Sequence, residues 1–246
     1  MLNFVSLSTL NSFAASNPVT IPTNSTAPTI GEGIFLIKDV ARILRLDYGN
    51  VRRWILGFWD GHFKETFNYS FGEQGRKAVN FYTLIEFYTF YKLREKGVSA
   101  QELRKVHKHM SNELNTPYPF AIAAGFFIEK RGQKAQVWYK YLESLIRADG
   151  KGQISLPVII EPFLEQIEFD ENNLAMRYFP VAGSKNVVVD PKHQLGQPTI
   201  LGTNIKTQAI FNLYKGGEPL ANIAKQFDLR LDEVQDALAF HQKAVA

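Results

Sequence analysis

The sequence predicts an α+β protein, mainly α with small β elements, on three observations. Apolar residues recur at helical spacing from Phe35 to Phe58, from Thr83 to Lys96 and again from Gln208 to Gln242. Short β-favouring runs, bounded by Gly, Pro and Asp, lie between those helical stretches. Hydrophobic residues make up 45% of the 246 and charged residues 21%, which supports packed cores and argues against wholesale disorder. The length suits two or three domains better than one.

Local signals place the elements in order. Residues 1–33 read as a flexible or docking arm. Met1 to Ile30 carries Phe4, Val5, Leu7, Leu10 and Phe13, but it has no positive start, and Ser and Asn interrupt the apolar stretch, unlike a secretory signal. The stretch Asn17 to Gly33, rich in Pro, Thr, Ser and Asn, reads as a linker. The Phe35–Phe58 pattern breaks once near Leu46, as two helices joined by a turn would. Thr66 to Phe81 alternates aromatics around Phe71-Gly72-Glu73-Gln74-Gly75 and reads as a hairpin. The Thr83–Lys96 helix ends at Gly97, a left-handed cap, and Ser99 opens the next helix with Glu102 in the capping-box position. Beyond Pro117 and Pro119, strands are expected at Ala121–Ile128 and Gln136–Leu142 around the Lys130-Arg131-Gly132-Gln133 turn, and at Val187–Val189. Three helices then follow: Gln208–Tyr214, Leu220–Phe227 and Asp232–Gln242. The expected divisions are 1–33, 34–116, 117–186 and 187–246, the third a mixed α/β middle region.

Composition removes several classes of chemistry. With Cys 0, thiolate metal sites, disulfides and cysteine nucleophiles are excluded. His62, His107, His109, His193 and His241 show no metal-ligand spacing; His107 and His109, two apart, point to different faces of a helix. The acid pairs Asp170-Glu171 and Asp232-Glu233 suit a turn and a helix start, and Pro162 breaks the stretch holding Glu161 and Glu165. No catalytic residue, metal or cofactor is expected, so the chain reads as a non-enzyme. No apolar run approaches the roughly 20 residues that span a bilayer, and a cytoplasmic location is expected. The net charge of +4 permits a nucleic-acid partner without requiring one.

The distribution of charge is more telling. In the stretch from Leu36 to Trp54, Val40, Ala41 and Leu44 form one apolar face, and Asp47 can cap a second helix anchored by Val51, Trp54 and Ile55. That arrangement leaves Tyr48, Asn50, Arg52 and Arg53 outward, as in a helix-turn-helix whose second helix enters a major groove. Arginine and asparagine are the side chains that pair bidentately with guanine and adenine edges. Lys38, Arg42, Arg45, Arg52 and Arg53 outnumber Asp39 and Asp47, and Arg76 and Lys77 follow in the hairpin. A second basic run, Lys92 to Lys108, holds Lys92, Arg94, Lys96, Arg104, Lys105 and Lys108 against Glu95 and Glu102.

The stretch Ile34 to Met110 resembles the winged-helix DNA-binding domain of the MerR-like superfamily, through its two helices, Gly75-Arg76, Asn80-Phe81, Leu84-Ile85 and Leu93-Arg94-Glu95-Lys96-Gly97-Val98-Ser99. The resemblance implies that Arg52 contacts DNA from the recognition helix and that Arg76 is the wing arginine meeting phosphate. The chain departs from that family in its long Gly57–Tyr69 loop and in lacking the dimerising coiled coil.

A second helix-turn-helix-like region begins at Gly196-Gln197-Pro198-Thr199-Ile200-Leu201-Gly202-Thr203-Asn204-Ile205, where Thr203 is positioned to cap the next helix. From Asp190 onward, six basic residues balance six acidic ones, and the last helix opens with Asp232, Glu233 and Asp236. Carboxylates there would face phosphates, so these three are candidate protein-contact residues rather than DNA contacts. The pattern over Val188 to Gln242 resembles a domain family of formerly unknown function that includes VapB-type antitoxins: the Pro-x-Ile-x-Gly-Thr-x-Ile start, a Gly before the second helix, Ile223-Ala224 and Ala237-Leu238. With an N-terminal helix-turn-helix, the chain is similar to the longer antitoxins of that group. The resemblance implies a PIN-domain ribonuclease toxin as partner, a homodimer and repression through double-stranded operator DNA. The alternative is a stand-alone MerR-like regulator, with Phe126, Phe127, Trp138, Tyr139 and Tyr141 forming a small-molecule effector pocket; ordinary core packing also explains those aromatics.

Overall fold

The computed structural model describes residues 31–63, 67–73, 75–122, 125–131, 134–141, 144–147 and 165–242. Its α+β fold is the expected one, helices accompanied by small antiparallel sheets. β1 (Phe35–Leu36) leads into α1 (Ile37–Leu44), which buries Val40, Ala41, Ile43 and Leu44. Arg45 closes α1 in the left-handed region at φ 57°. Asp47 Oδ1 then accepts a hydrogen bond from Asn50 N at 2.8 Å and starts α2 (Tyr48–Arg52). The rod continues through a π-helical stretch, Arg53–Trp59, into α3 (Asp60–Phe63). π-helical turns are rare and concentrate at functional sites. Trp54, Phe58 and Trp59 on this rod surround Phe90, with ring centroids 4.9–5.4 Å apart.

β2 (Ala78–Val79) pairs antiparallel with β1, Phe35 opposite Val79 and Leu36 opposite Ala78. The expected hairpin within Thr66–Phe81 is seen among the described residues as a short one: Phe71 bridges Ala78 antiparallel, Phe71 N donating to Ala78 O at 2.9 Å and Ala78 N to Phe71 O at 3.0 Å. The other neighbour of β2, which the sequence pattern does not supply, is β1, from the far side of the first helix pair. α4 (Phe81–Glu95) is capped by Asn80, whose side chain accepts from Thr83 N. This helix is apolar around most of its circumference and lies in the core, as such helices must. α5 (Ala100–Glu113) begins at Ser99, whose hydroxyl accepts from Glu102 N.

α6 (Pro119–Ile122) occupies residues expected to begin a strand. Its docking explains why: Glu86, fully buried on α4, accepts hydrogen bonds from Phe120 N at 2.6 Å and Ala121 N at 2.9 Å. His107 Nε2 of α5 lies 3.0 Å from the other carboxylate oxygen. One acid thus joins three helices. Burial raises the Glu86 pKa, opposed first by the hydrogen bond with His107.

β3 (Gly125–Arg131), β4 (Lys134–Tyr141) and β5 (Ser144–Arg147) form a meander with Phe127 opposite Trp138. The side chains of the proposed effector pocket lie outside the described residues. β6 (Ile167–Phe169) and β7 (Ala175–Tyr178) form a hairpin whose turn is closed by Asp170 Oδ1 accepting from Asn172 N and Leu174 N, both at 2.9 Å. β8 (Val187–Val188) pairs with β9 (Thr199–Ile200), and α7 (Thr207–Lys215), α8 (Leu220–Phe227) and α9 (Leu231–Gln242) complete the fold. Thr203 does not cap α7. Its hydroxyl accepts from Ile205 N and donates to Ile200 O, closing the tight turn after β9, while Lys206 holds the cap position.

The N-terminal and C-terminal parts of the described residues pack together. Ile34 N donates to Leu195 O at 3.0 Å, and the Phe35 ring lies against Gly196, where an added Cβ would sit 2.2 Å from Phe35 Cζ. Tyr88 on α4 stacks near Tyr178 on β7, centroids 4.9 Å apart, and its hydroxyl donates to Gln166 Oε1.

Candidate nucleic-acid interface

Strand pairing builds the site. β2 lies against β1, and Ile37 N donates to Lys77 O at 3.3 Å, so the Arg76-Lys77 segment is held beside the start of α1. The turn before it is tight: Gly72, at φ +88°, approaches Arg76 O so closely that a Cβ would lie 2.8 Å from it. The rod of α2 forms the opposite wall. Between them lies an open cleft of about 1280 Å³, lined by residues from all three segments, among them Lys38 of α1, Tyr48, Arg52 and Leu56 of the rod, and Arg76 and Lys77.

Of the seven residues singled out in the sequence as DNA contacts, Lys38, Tyr48, Arg52, Arg76 and Lys77 share this cleft. Lys38, Arg52 and Arg76 are exposed, and Tyr48 is 51% exposed, unusual for an aromatic without a covering partner. Asn50 and Arg53 are not among the cleft's lining residues. Both are exposed on the rod, and Arg53 donates to Asn50 Oδ1. Asp60 is the one acid among the described lining residues, and it is engaged: it accepts from Ser70 N at 3.2 Å and from the Ser70 hydroxyl. Four cations therefore face a cleft whose carboxylate is already hydrogen-bonded. Such a concave cationic surface, floored by Leu36, Ile37 and Leu56, fits a polyanion with apolar edges.

Two cations of the sequence-level basic excess point elsewhere. Arg42 donates to Gln208 Oε1 at 3.2 Å and to Gln197 Oε1 at 3.4 Å, both in the C-terminal region. Arg45 donates to Ala239 O at 3.3 Å, its guanidinium 5.9 Å from the centre of the Phe240 ring. Sequence spacing could not distinguish these from the exposed arginines, because their partners lie more than 150 residues away. Asn68 and Ser70 also line the cleft; no sequence signal marked them.

The acidic trio on α9 sits at a different place and is tied within the chain. Asp236 Oδ2 accepts from Asn186 Nδ2 at 2.8 Å and from the Ser184 hydroxyl. Asp232 pairs with Arg230, with Nε 3.1 Å from Oδ1, and accepts from Asn186 Nδ2. Glu233 reaches back to Arg230 N at 2.7 Å, capping α9. The Arg230 hydrogen bond, followed by that of Asn186, lowers the Asp232 pKa despite its exposure. Among the described residues, no cluster of His, Asp and Glu could hold a metal ion, and no helix is long and apolar enough to cross a membrane.

Comparison with known proteins bears first on the C-terminal region. Residues 187–241 match the family described as a protein of unknown function, DUF433. The chain is also similar to "Putative antitoxin VapB45" of Mycobacterium tuberculosis, 33% identical over 88 residues, which is 35% of this chain and 37% of that protein. It is 32% identical over 57 residues to "Uncharacterized protein Rv2308" of the same organism, 23% of this chain and 24% of that one. The matched stretches thus span about a third and a quarter of these relatives' lengths. In fold, the chain is similar to the crystal structure of Rv2018 from Mycobacterium tuberculosis. The TM-score is 0.58 at 18% identity, covering 83% of this chain and 96% of that one.

Proposed function

We propose that this chain is a non-enzymatic antitoxin of a type II toxin–antitoxin system: it binds double-stranded operator DNA through the cleft and neutralises a PIN-domain ribonuclease toxin through its C-terminal region. The observation that carries the DNA reading is the convergence of Lys38, Arg52, Arg76 and Lys77, from three segments, on one open cleft with Tyr48 exposed at its wall. The arrangement of two helices and a turn-bearing segment paired back to β1 fits a MerR-like winged helix spanning 34–116. α2 enters the major groove there, and Arg76 and Lys77 meet the flanking phosphates. The relative named as an antitoxin supports the toxin–antitoxin role. The region 187–246 is the toxin-holding part, with Asp232 the α9 carboxylate that solvent reaches, its side chain 57% exposed against 14% for Glu233. The protein acts in the cytoplasm as a homodimeric repressor of its own operon.

Co-expression with the product of the neighbouring gene, size exclusion, and a salt-series gel shift on the upstream promoter test this reading. A stable complex is expected, together with promoter binding that is lost in Arg52→Ala/Arg53→Ala. Each phosphate-contacting cation removed, as in Arg76→Ala, flattens the plot of log affinity against log salt by about one. Promoter binding without any partner would indicate a stand-alone regulator instead. Absence of both would overturn the proposal.

A further inference from the structure

α1 is the scaffold of the helix-turn-helix, and Arg45 closes its last turn with φ 57°, a region that a residue with a Cβ adopts only when its surroundings hold it there. Its backbone is closed locally, Arg45 N donating to Arg42 O and Leu46 N to Ala41 O, while its side chain reaches the C-terminal helices. The Arg45 guanidinium donates to Ala239 O in the last turn of α9, where the negative end of the helix dipole favours a cation. One turn earlier on α1, Arg42 spreads its fork between Gln197, just before β9, and Gln208, on α7, with Asp39 3.4 Å away on its own helix. These contacts lie immediately before the turn that carries Asp47, the cap of the rod bearing Tyr48 and Arg52.

From this we infer that Arg42 and Arg45 are positioning residues for DNA recognition: they fix the helix-turn-helix on the C-terminal helices, so that the reading rod keeps its angle to the cleft only while the C-terminal region is docked. The inference rests on the DNA-binding function proposed above, and it assigns these two arginines a role opposite to the one their place in a basic run suggests. They touch protein rather than phosphate. A planar fork that bridges two glutamines cannot be replaced by a point charge, so Arg42→Lys does not restore what Arg42→Gln removes.

The test uses the full chain and two probes: the duplex upstream of its gene and a scrambled duplex of equal length. In Arg42→Gln and Arg45→Gln, promoter affinity falls about tenfold, as expected for losing hydrogen bonds from a charged donor. Binding to the scrambled duplex and the salt slope stay as in the parent, and Arg42→Lys behaves like Arg42→Gln. Independently of DNA, amide hydrogen exchange across residues 45–51 speeds up about tenfold in these variants and not in Arg76→Ala. Should either variant lose its far-UV circular dichroism, Gln208→Ala, which removes an exposed partner of Arg42, gives the same shift at smaller size. A salt slope flattened by about one, full rescue by Arg42→Lys, or unchanged exchange at 45–51 would each overturn the inference. If the parent bound no promoter DNA, the proposed function would fail on its own, and the exchange measurement alone would decide the docking role.

Discussion

Glu86 is the residue whose removal has the most to undo. Substitution by Ala leaves Phe120 N and Ala121 N, both inside the core, without the acceptor they share, and takes away the carboxylate 3.0 Å from His107. Each buried donor left without a partner costs about 1–3 kcal/mol. Two such donors lose their acceptor at once and the contact with His107 is lost as well, so Glu86→Ala is expected to lose about 3–5 kcal/mol, lowering the melting temperature by about 6–20 °C for a chain of this size. Glu86→Gln sharpens the argument. Both backbone bonds go to Oε1, and the amide of Gln retains a carbonyl oxygen there, so the loss should be about 1–2 kcal/mol. Urea denaturation followed by far-UV circular dichroism, with thermal melts alongside, measures both. Equal losses in the two variants, or a loss below about 1 kcal/mol in Glu86→Ala, would refute the view that this acid organises α4, α5 and α6 through its acceptor oxygens.

Three further outcomes are expected. His241 stacks on Phe211 with centroids 4.6 Å apart, and burial, followed by the charge of Arg42, lowers its pKa from 6.5 to about 4. Between those values only the unfolded chain takes up the proton, so stability falls as pH drops from 6.5 toward 4 and levels off below. After allowance for the half-exposed ring, the loss is about 1–2 kcal/mol and should be absent in His241→Gln, as read from urea midpoints at pH 7 and pH 4.5. Gly196→Ala combines strain at φ +83° with a Cβ 2.2 Å from Phe35 Cζ, whereas Gly97→Ala meets strain alone at φ +93° in open space; denaturation midpoints should show losses of about 2–4 and about 1 kcal/mol respectively. Asp236→Ala removes the acceptor shared by Ser184 and Asn186 and should cost about 1–3 kcal/mol in the same assay, whether or not a protein partner is present.

The elements best read from the sequence were those announced by a local cap. Asp47, Ser99 and Gly97 each act within a few residues of the helix they bound, and each does in the structure what its position implied. The features that escaped were non-local. The local half of the pairing of β2 was legible, Ala78 bridging Phe71 as the hairpin implied, but its other neighbour is Phe35–Leu36, beyond both helices of the first pair. Thr203 has the chemistry of a cap but spends its hydroxyl on the turn before α7, donating to Ile200 O and accepting from Ile205 N. Five of the seven cleft candidates converge in space because outward positions on α2 and in the Arg76-Lys77 segment were legible from periodicity. Arg42 and Arg45 could not be separated from them, because the partners that engage them, Gln197, Gln208 and Ala239, lie more than 150 residues away in sequence. Glu86 did leave a signal in the sequence: an acid flanked by Leu84, Ile85 and Phe87 in the apolar first half of a helix must have partners when that helix is buried.

The bond from Arg45 to Ala239 spans 194 residues of chain, and that span has a consequence for how the molecule is made. During synthesis at about 5–20 residues per second, Ala239 is added on the order of 10 to 40 seconds after Arg45. Throughout that interval the nascent chain holds its first helices without the surface they finally rest against. Maturation of the amino-terminal part therefore waits on translation of the far one, so a ribosome stalled before α9 would carry two helices and a strand still lacking their seat.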